Sequence, residues 1–249
     1  MEIIAAIGGG AFVLTSFVTG LRLVWMAKTT RELPEFTLGL GLFLMGGLGY
    51  PLTMLGEFGT FLGGDTRAVL VAANQLCGVV GLTLLATFTW RVFRREDPAA
   101  RAAVFALGIA YVVIFVWRAL GQGFTPMALG GEQAPILHTL LTLVTLGWSG
   151  TESLRYHLQL RKRMRLGLAD ALVTDRFRLW ATGMLVAMTL SGISSVCSYL
   201  DVQFNTTTAG ILTVGVLGSI CAISVWFAFF PPHSYASWIR SRAMTVQEA

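Results

Sequence analysis

Seven apolar stretches of bilayer-spanning length follow one another along the chain, at roughly 3–26, 36–56, 67–91, 102–123, 136–158, 178–200 and 208–230. A helix crossing the hydrocarbon core needs about twenty mostly apolar residues, because lipid offers no partner to an unsatisfied backbone N–H or C=O. Segmentation of this kind leaves few options. The expected fold is an all-α polytopic membrane protein: a seven-helix transmembrane bundle over 1–232, then a short interfacial helix and C-terminal tail over 233–249.

Composition excludes the soluble alternative. Charged residues make up 12% of the chain, against about a quarter in an ordinary soluble domain. Apolar residues make up 55%, and the mean hydropathy is +0.69. A bundle consumes nearly all 249 residues, so no separate catalytic or output domain is expected. The first stretch lacks a basic start and a small-residue cleavage site, and reads as a retained helix. Cys77, Cys197 and Cys221 stand singly in apolar surroundings and suggest neither disulfides nor a zinc site.

Turn signals agree with the segmentation. Pro34 and Pro135 precede the second and fifth spans, Asp65-Thr66 can cap the third, Asp97-Pro98 leads into the fourth, and Pro231-Pro232 stops the seventh. Basic residues then orient the chain. Of sixteen Arg and two Lys, fifteen fall in one set of connections, one (Arg67) falls in the opposite set, and Arg22 and Arg118 lie within spans. Cationic loops stay in the cytoplasm, which puts the N-terminus outside and the C-terminus inside. Sixteen Arg alongside abundant Ala and Gly suggest a bacterial, cytoplasmic (inner) membrane protein. The basic loop starting at Arg161 and the segment Tyr235, Trp238, Arg240, Arg242 would meet anionic headgroups at the inner face or dock a cytoplasmic partner. Nucleic acid is not an expected partner.

Intramembrane polar residues are costly and tend to face a cavity or another helix. On span five, His138, Thr142, Thr145, Ser149 and Glu152 recur at intervals of 4, 3, 4 and 3, with Tyr156 and Gln159 continuing the pattern. Such spacing places them on one face, as a polar stripe or a proton path. Span four carries Tyr111, Phe115, Arg118 and Gln122 at the same spacing. By depth, Glu57, Asn74, Gln75, Arg118, Gln122, His138, Tyr199 and Asp201 fall in the outer third, with Tyr50 near them. Those nine are the candidate ligand-binding residues. At inner depth, Arg22 and Glu152 form a candidate ion pair, with Arg155 the competing partner at i, i+3. The bland alternatives are interhelical hydrogen bonding for the stripe and snorkelling for Arg118.

Several chemistries are absent from the residues. The last span has no lysine for a retinal Schiff base, since the lysines are Lys28 and Lys162. A bis-histidine haem site is not expected, because only His138 lies well within a span, and no residue set suits a metal. No cofactor and no catalytic group are therefore expected. The preferred expectation is a receptor-like sensor that binds a small ligand in the outer pocket and signals to a separate cytoplasmic protein. The alternatives are a proton-coupled transporter along span five, or an accessory subunit of a larger membrane complex.

Overall fold

The computed structural model describes residues 2–121, 123–126, 129, 136–200, 202, 204 and 207–247, with side chains described from 8 to 242 within those ranges. Gln122 and Asp201 lie outside the described residues. The described chain is helical, without strands: α1 Glu2–Thr30, α2 Leu33–Phe58, α3 Gly64–Phe93, α4 Pro98–Leu120, α5 Ile136–Met164, α6 Ala171–Tyr199, α7 Thr208–Phe229 and α8 His233–Gln247. Six helices, α1 to α4 with α6 and α7, are long and apolar enough to cross a membrane. Although α5, with 29 residues, is only one shorter than the longest of them, its polar stripe and cationic last turn make it less apolar.

Each boundary has a local cause. Pro34 occupies the first turn of α2, and Pro98 that of α4, where Asp97 Oδ1 accepts from the N–H groups of Ala99 and Ala100. Asp170 caps α6 and Thr207 caps α7. The start of α3 departs from expectation. Its N-cap is Gly63, and Asp65 lies inside the first turn, where a negative charge still complements the helix dipole. Within α2, residues Phe43–Gly49 form a π-helical segment ending just before Pro51. A proline cannot donate back and crowds the carbonyl four residues earlier, so the wider turn accommodates it.

The helices close into a ring. α1 packs on α2 and α7, α7 on α6, α6 on α5, α5 on α3, and α3 on α2, while α4 sits against α3 and more lightly against α5. Small residues permit the tightest crossings. A Cβ on Gly39 would lie 2.8 Å from the Val24 backbone nitrogen, and one on Gly8 would lie 2.7 Å from the Gly215 carbonyl oxygen. A cavity of about 50 Å³ occupies the centre, touched by Ser16, Met45, Leu85, Leu146, Trp180 and Val225 from six different helices.

Polarity is inverted relative to a soluble domain. Thr19, Thr89, Thr145, Ser149 and Ser153 are fully buried, whereas Phe105, Ile109, Val112, Val113 and Trp117 of α4 point outward and are exposed. Water would penalise that arrangement and hydrocarbon favours it. Many buried hydroxyls donate to the carbonyl four residues back, as in Thr37 to Leu33, Thr89 to Leu85 and Ser153 to Ser149.

Candidate functional site

At one end of the bundle, the start of α3, the end of α4 and the start of α5 converge. Arg118, in the last turn of α4, is 7% exposed, and its Nη1 donates to Gln75 Oε1 of α3 at 2.9 Å. Its Nε donates to the Gly123 carbonyl at 3.2 Å, and the guanidinium lies 5.5 Å from the centre of the Phe124 ring. Arg118 therefore turns inward to partners on α3 and the α4–α5 connection. Simple snorkelling does not describe it.

The other face of the cluster comes from α5. The His138 ring meets the Tyr111 ring edge to face at 5.9 Å. Tyr111, fully buried, shares a hydrogen bond with Thr145 Oγ1 at 3.0 Å. Two nitrogens of this region, Gln75 Nε2 and His138 Nε2, are buried and have no partner among the described residues. An unmatched buried polar atom costs roughly 1–3 kcal/mol, so two in one region need a reason.

The remaining candidates are divided by the helix order. Asn74 faces away from Gln75, toward α2, where its Oδ1 would meet a Cβ on Gly49 at 3.2 Å. Tyr50 packs on α1, its ring 6.1 Å from that of Phe12 and its hydroxyl against Gly9. Glu57 lies in the last turn of α2, where its carbonyl and that of Gly56 accept from the buried Arg67. Tyr199 is exposed at the end of α6. Of the nine candidates, the structure thus brings Gln75, Arg118 and His138 into one cluster and adds Tyr111. The signal for Tyr111 was its place on the Arg118 face of span four.

The middle of the α5 stripe runs along the bundle interior, and Thr145, Ser149 and Glu152 bridge to other helices at successive depths. Thr142 donates to the His138 carbonyl, Thr145 meets Tyr111 of α4, and Ser149 accepts from Trp180 Nε1 of α6 at 3.3 Å. At the far end Glu152, buried, accepts from Arg94 Nη2 at 2.9 Å and Arg155 Nη1 at 3.1 Å, both on Oε1. The expected Arg22–Glu152 pair is replaced. Arg22 stacks on Phe230 at 4.4 Å, because α1 adjoins α2 and α7 and lies across the ring from α5. Arg94 was missed because it looks like one loop cation among fifteen.

Beyond the stripe, His157 Nδ1 donates to the Thr174 carbonyl at 2.8 Å, joining α5 to α6. Asp175, buried at the start of α6, accepts from the Tyr235 hydroxyl of α8 and pairs with Arg178 at 2.6 Å. Burial and the hydrogen bond to Asp175 raise the Tyr235 pKa, with Arg178 opposing. Among the described residues no group of three His, Cys, Asp or Glu could hold a metal ion.

Comparison with known protein families, curated proteins and solved structures returned no match.

Proposed function

We propose that the chain crosses the membrane seven times, N-terminus outside, as a receptor-like sensor whose outer cluster of Gln75, Arg118, His138 and Tyr111 takes a small ligand rich in hydrogen-bond acceptors. The supporting observation is the buried Arg118–Gln75 pair, with Gln75 Nε2 and the nearby His138 Nε2 buried and without a partner among the described residues. A carboxylate or phosphate would meet the guanidinium and the Gln75 amide donor in the geometry such forks favour. His138 can either donate or accept there.

A seventh crossing by α5 is supported by its neighbours. Its 29 residues are long enough to span, at about 1.5 Å per residue, and it contacts α4, α6 and α3 at successive depths through Thr145, Ser149 and Glu152. Within its apolar stretch, Thr145, Ser149, Glu152 and Ser153 are buried away from lipid, and the exposed cations Arg161, Lys162 and Arg163 belong to its last turn. The α5–α6 contact, the most extensive in the bundle, is the route by which ligand binding would reach the basic inner loop and a cytoplasmic partner.

A proton path along α5 is the weaker reading. Thr142 turns back onto its own helix, Thr145 and Ser149 are bonded to Tyr111 and Trp180, and Glu152 is held between two guanidiniums, so the stripe's groups are taken up by fixed partners within α5 and on its neighbours.

The test is a thermal-stability screen of the protein in nanodiscs against amino acids, small carboxylates and phosphate esters. At least one class should raise the unfolding midpoint, and Arg118→Ala should abolish the rise. A panel without effect, or a stabilisation that survives Arg118→Ala and Gln75→Leu, overturns the assignment.

A further inference from the structure

At the opposite end of the bundle, a cleft of about 270 Å³ opens between the end of α3 and the last turns of α5. Its walls are Phe93, Arg94, Glu152, Arg155, Tyr156 and Gln159. We propose that this cleft is a phosphate site, in which Arg94 and Arg155 grip the phosphate of an anionic ligand while Glu152 holds the two guanidiniums in place.

Three observations carry it. First, both arginines donate to the same oxygen of Glu152, at 2.9 and 3.1 Å, which draws two guanidiniums to one point of the cleft. Each guanidinium has five N–H donors and spends one on that carboxylate, so most of the donor capacity stays available. Second, the lining itself carries two guanidiniums and one carboxylate; Asp97, whose Oδ2 lies 3.8 Å from Arg94 Nη1, is a second carboxylate nearby but stands outside the cleft wall and caps α4 with its other oxygen. Third, the floor is rigid. The Phe93, Tyr156 and Phe177 rings contact one another with centroids 4.7 to 5.8 Å apart, so a ligand meets a preformed wall. Tyr156 and Gln159 add a hydroxyl and an amide as further donors.

Position identifies the sources. Arg94 directly follows the last residue of α3, and Asp97 precedes α4, so the cleft lies where two apolar helices end. Fifteen of the eighteen basic residues belong to this end of the bundle. Lipid phosphates occupy that depth, and soluble phosphates reach it from the water side. Guanidinium forks suit both, because a phosphate offers two oxygens in their plane. An acidic peptide fits less well, since its carboxylates are spread along a backbone whereas the cleft draws two guanidiniums to one point.

The proposal stands apart from the outer ligand site and is tested separately. Full-length protein in detergent is titrated with short-chain phosphatidylglycerol, short-chain phosphatidylcholine, inorganic phosphate and a glutamate-rich peptide, reading the unfolding midpoint. Phosphatidylglycerol should bind at least tenfold more tightly than phosphatidylcholine if the source is lipid; an equal response to inorganic phosphate assigns a soluble source to the same site. Arg155→Gln, which leaves the Arg94–Glu152 pair intact, should weaken binding about tenfold, and the charge-preserving R94K/R155K variant should do the same while folding normally. Arg163→Gln, in the last turn of α5 but outside the cleft lining, should change nothing. Equal loss in Arg163→Gln, unchanged binding in R94K/R155K, or tighter binding of the peptide than of any phosphate overturns the proposal.

Discussion

Arg118 Nη1 and Gln75 Oε1 meet at 2.9 Å between α4 and α3, with both side chains more than nine-tenths buried. A charged hydrogen bond of this kind contributes about 1.5–3 kcal/mol, and removing one partner strands the other. Gln75→Leu is therefore expected to lower stability by about that amount. Asn74→Leu, next in sequence but turned toward α2 and only partly buried, should cost less. Chemical or thermal unfolding in detergent reads the difference.

Glu152 selects its partners across the bundle. A double-mutant cycle on Arg94 and Glu152 should give a clear coupling energy, and the same cycle on Arg22 and Glu152 should give none, because Arg22 stacks on Phe230. Coupling between Arg22 and Glu152 would place α1 beside α5 and contradict the ring order.

Close helix crossings should be intolerant of side chains where backbone meets backbone. Gly39→Val would push Cβ into the Val24 nitrogen and Gly20 oxygen of α1, an overpacking expected to cost about 1–3 kcal/mol or more. Gly10→Ala, with open space around its Cβ, should be close to neutral. Unfolding midpoints of the two variants decide the point.

Docking of α8 should be sensitive to alkali. Tyr235 donates to Asp175 only while protonated, and its pKa is raised above the ordinary value of about 10 by burial and by that hydrogen bond. A group with a raised folded-state pKa contributes its full stabilisation below the unfolded value and loses it as pH rises through the folded one. The α8 contact should thus persist through neutral pH and weaken above about pH 10. Fluorescence of Trp238, 6.0 Å from Tyr235, would report the release, and Tyr235→Phe should remove the transition.

Topology can be read by labelling. Single cysteines introduced by Gly63→Cys and Gly167→Cys, in a background lacking Cys77, Cys197 and Cys221, should react with an impermeant maleimide from opposite sides of the membrane. Labelling of both from one side would mean that one helix between them fails to cross.

The sequence alone was enough to delimit the helices and to show which face of each carries polar groups, because span length is imposed by the bilayer and helical period by backbone geometry. The six apolar helices and α5 overlap the predicted stretches, although α6 starts at Ala171 rather than near 178 and α5 runs on to Met164 rather than 158, and of the α5 stripe Thr145, Ser149 and Glu152 are buried. Which helix each face meets was decided only by the tertiary structure. Periodicity put Asn74 and Gln75 side by side; the ring order sent one to Gly49 of α2 and the other to Arg118 of α4. The same order gave Glu152 to Arg94, fifty-eight residues away, and left Arg22 to Phe230. Intramembrane polar groups bind whatever donor lies at their depth on the adjoining helix. Adjacency in turn follows from where small residues such as Gly8, Gly20, Gly39 and Gly215 let backbones approach.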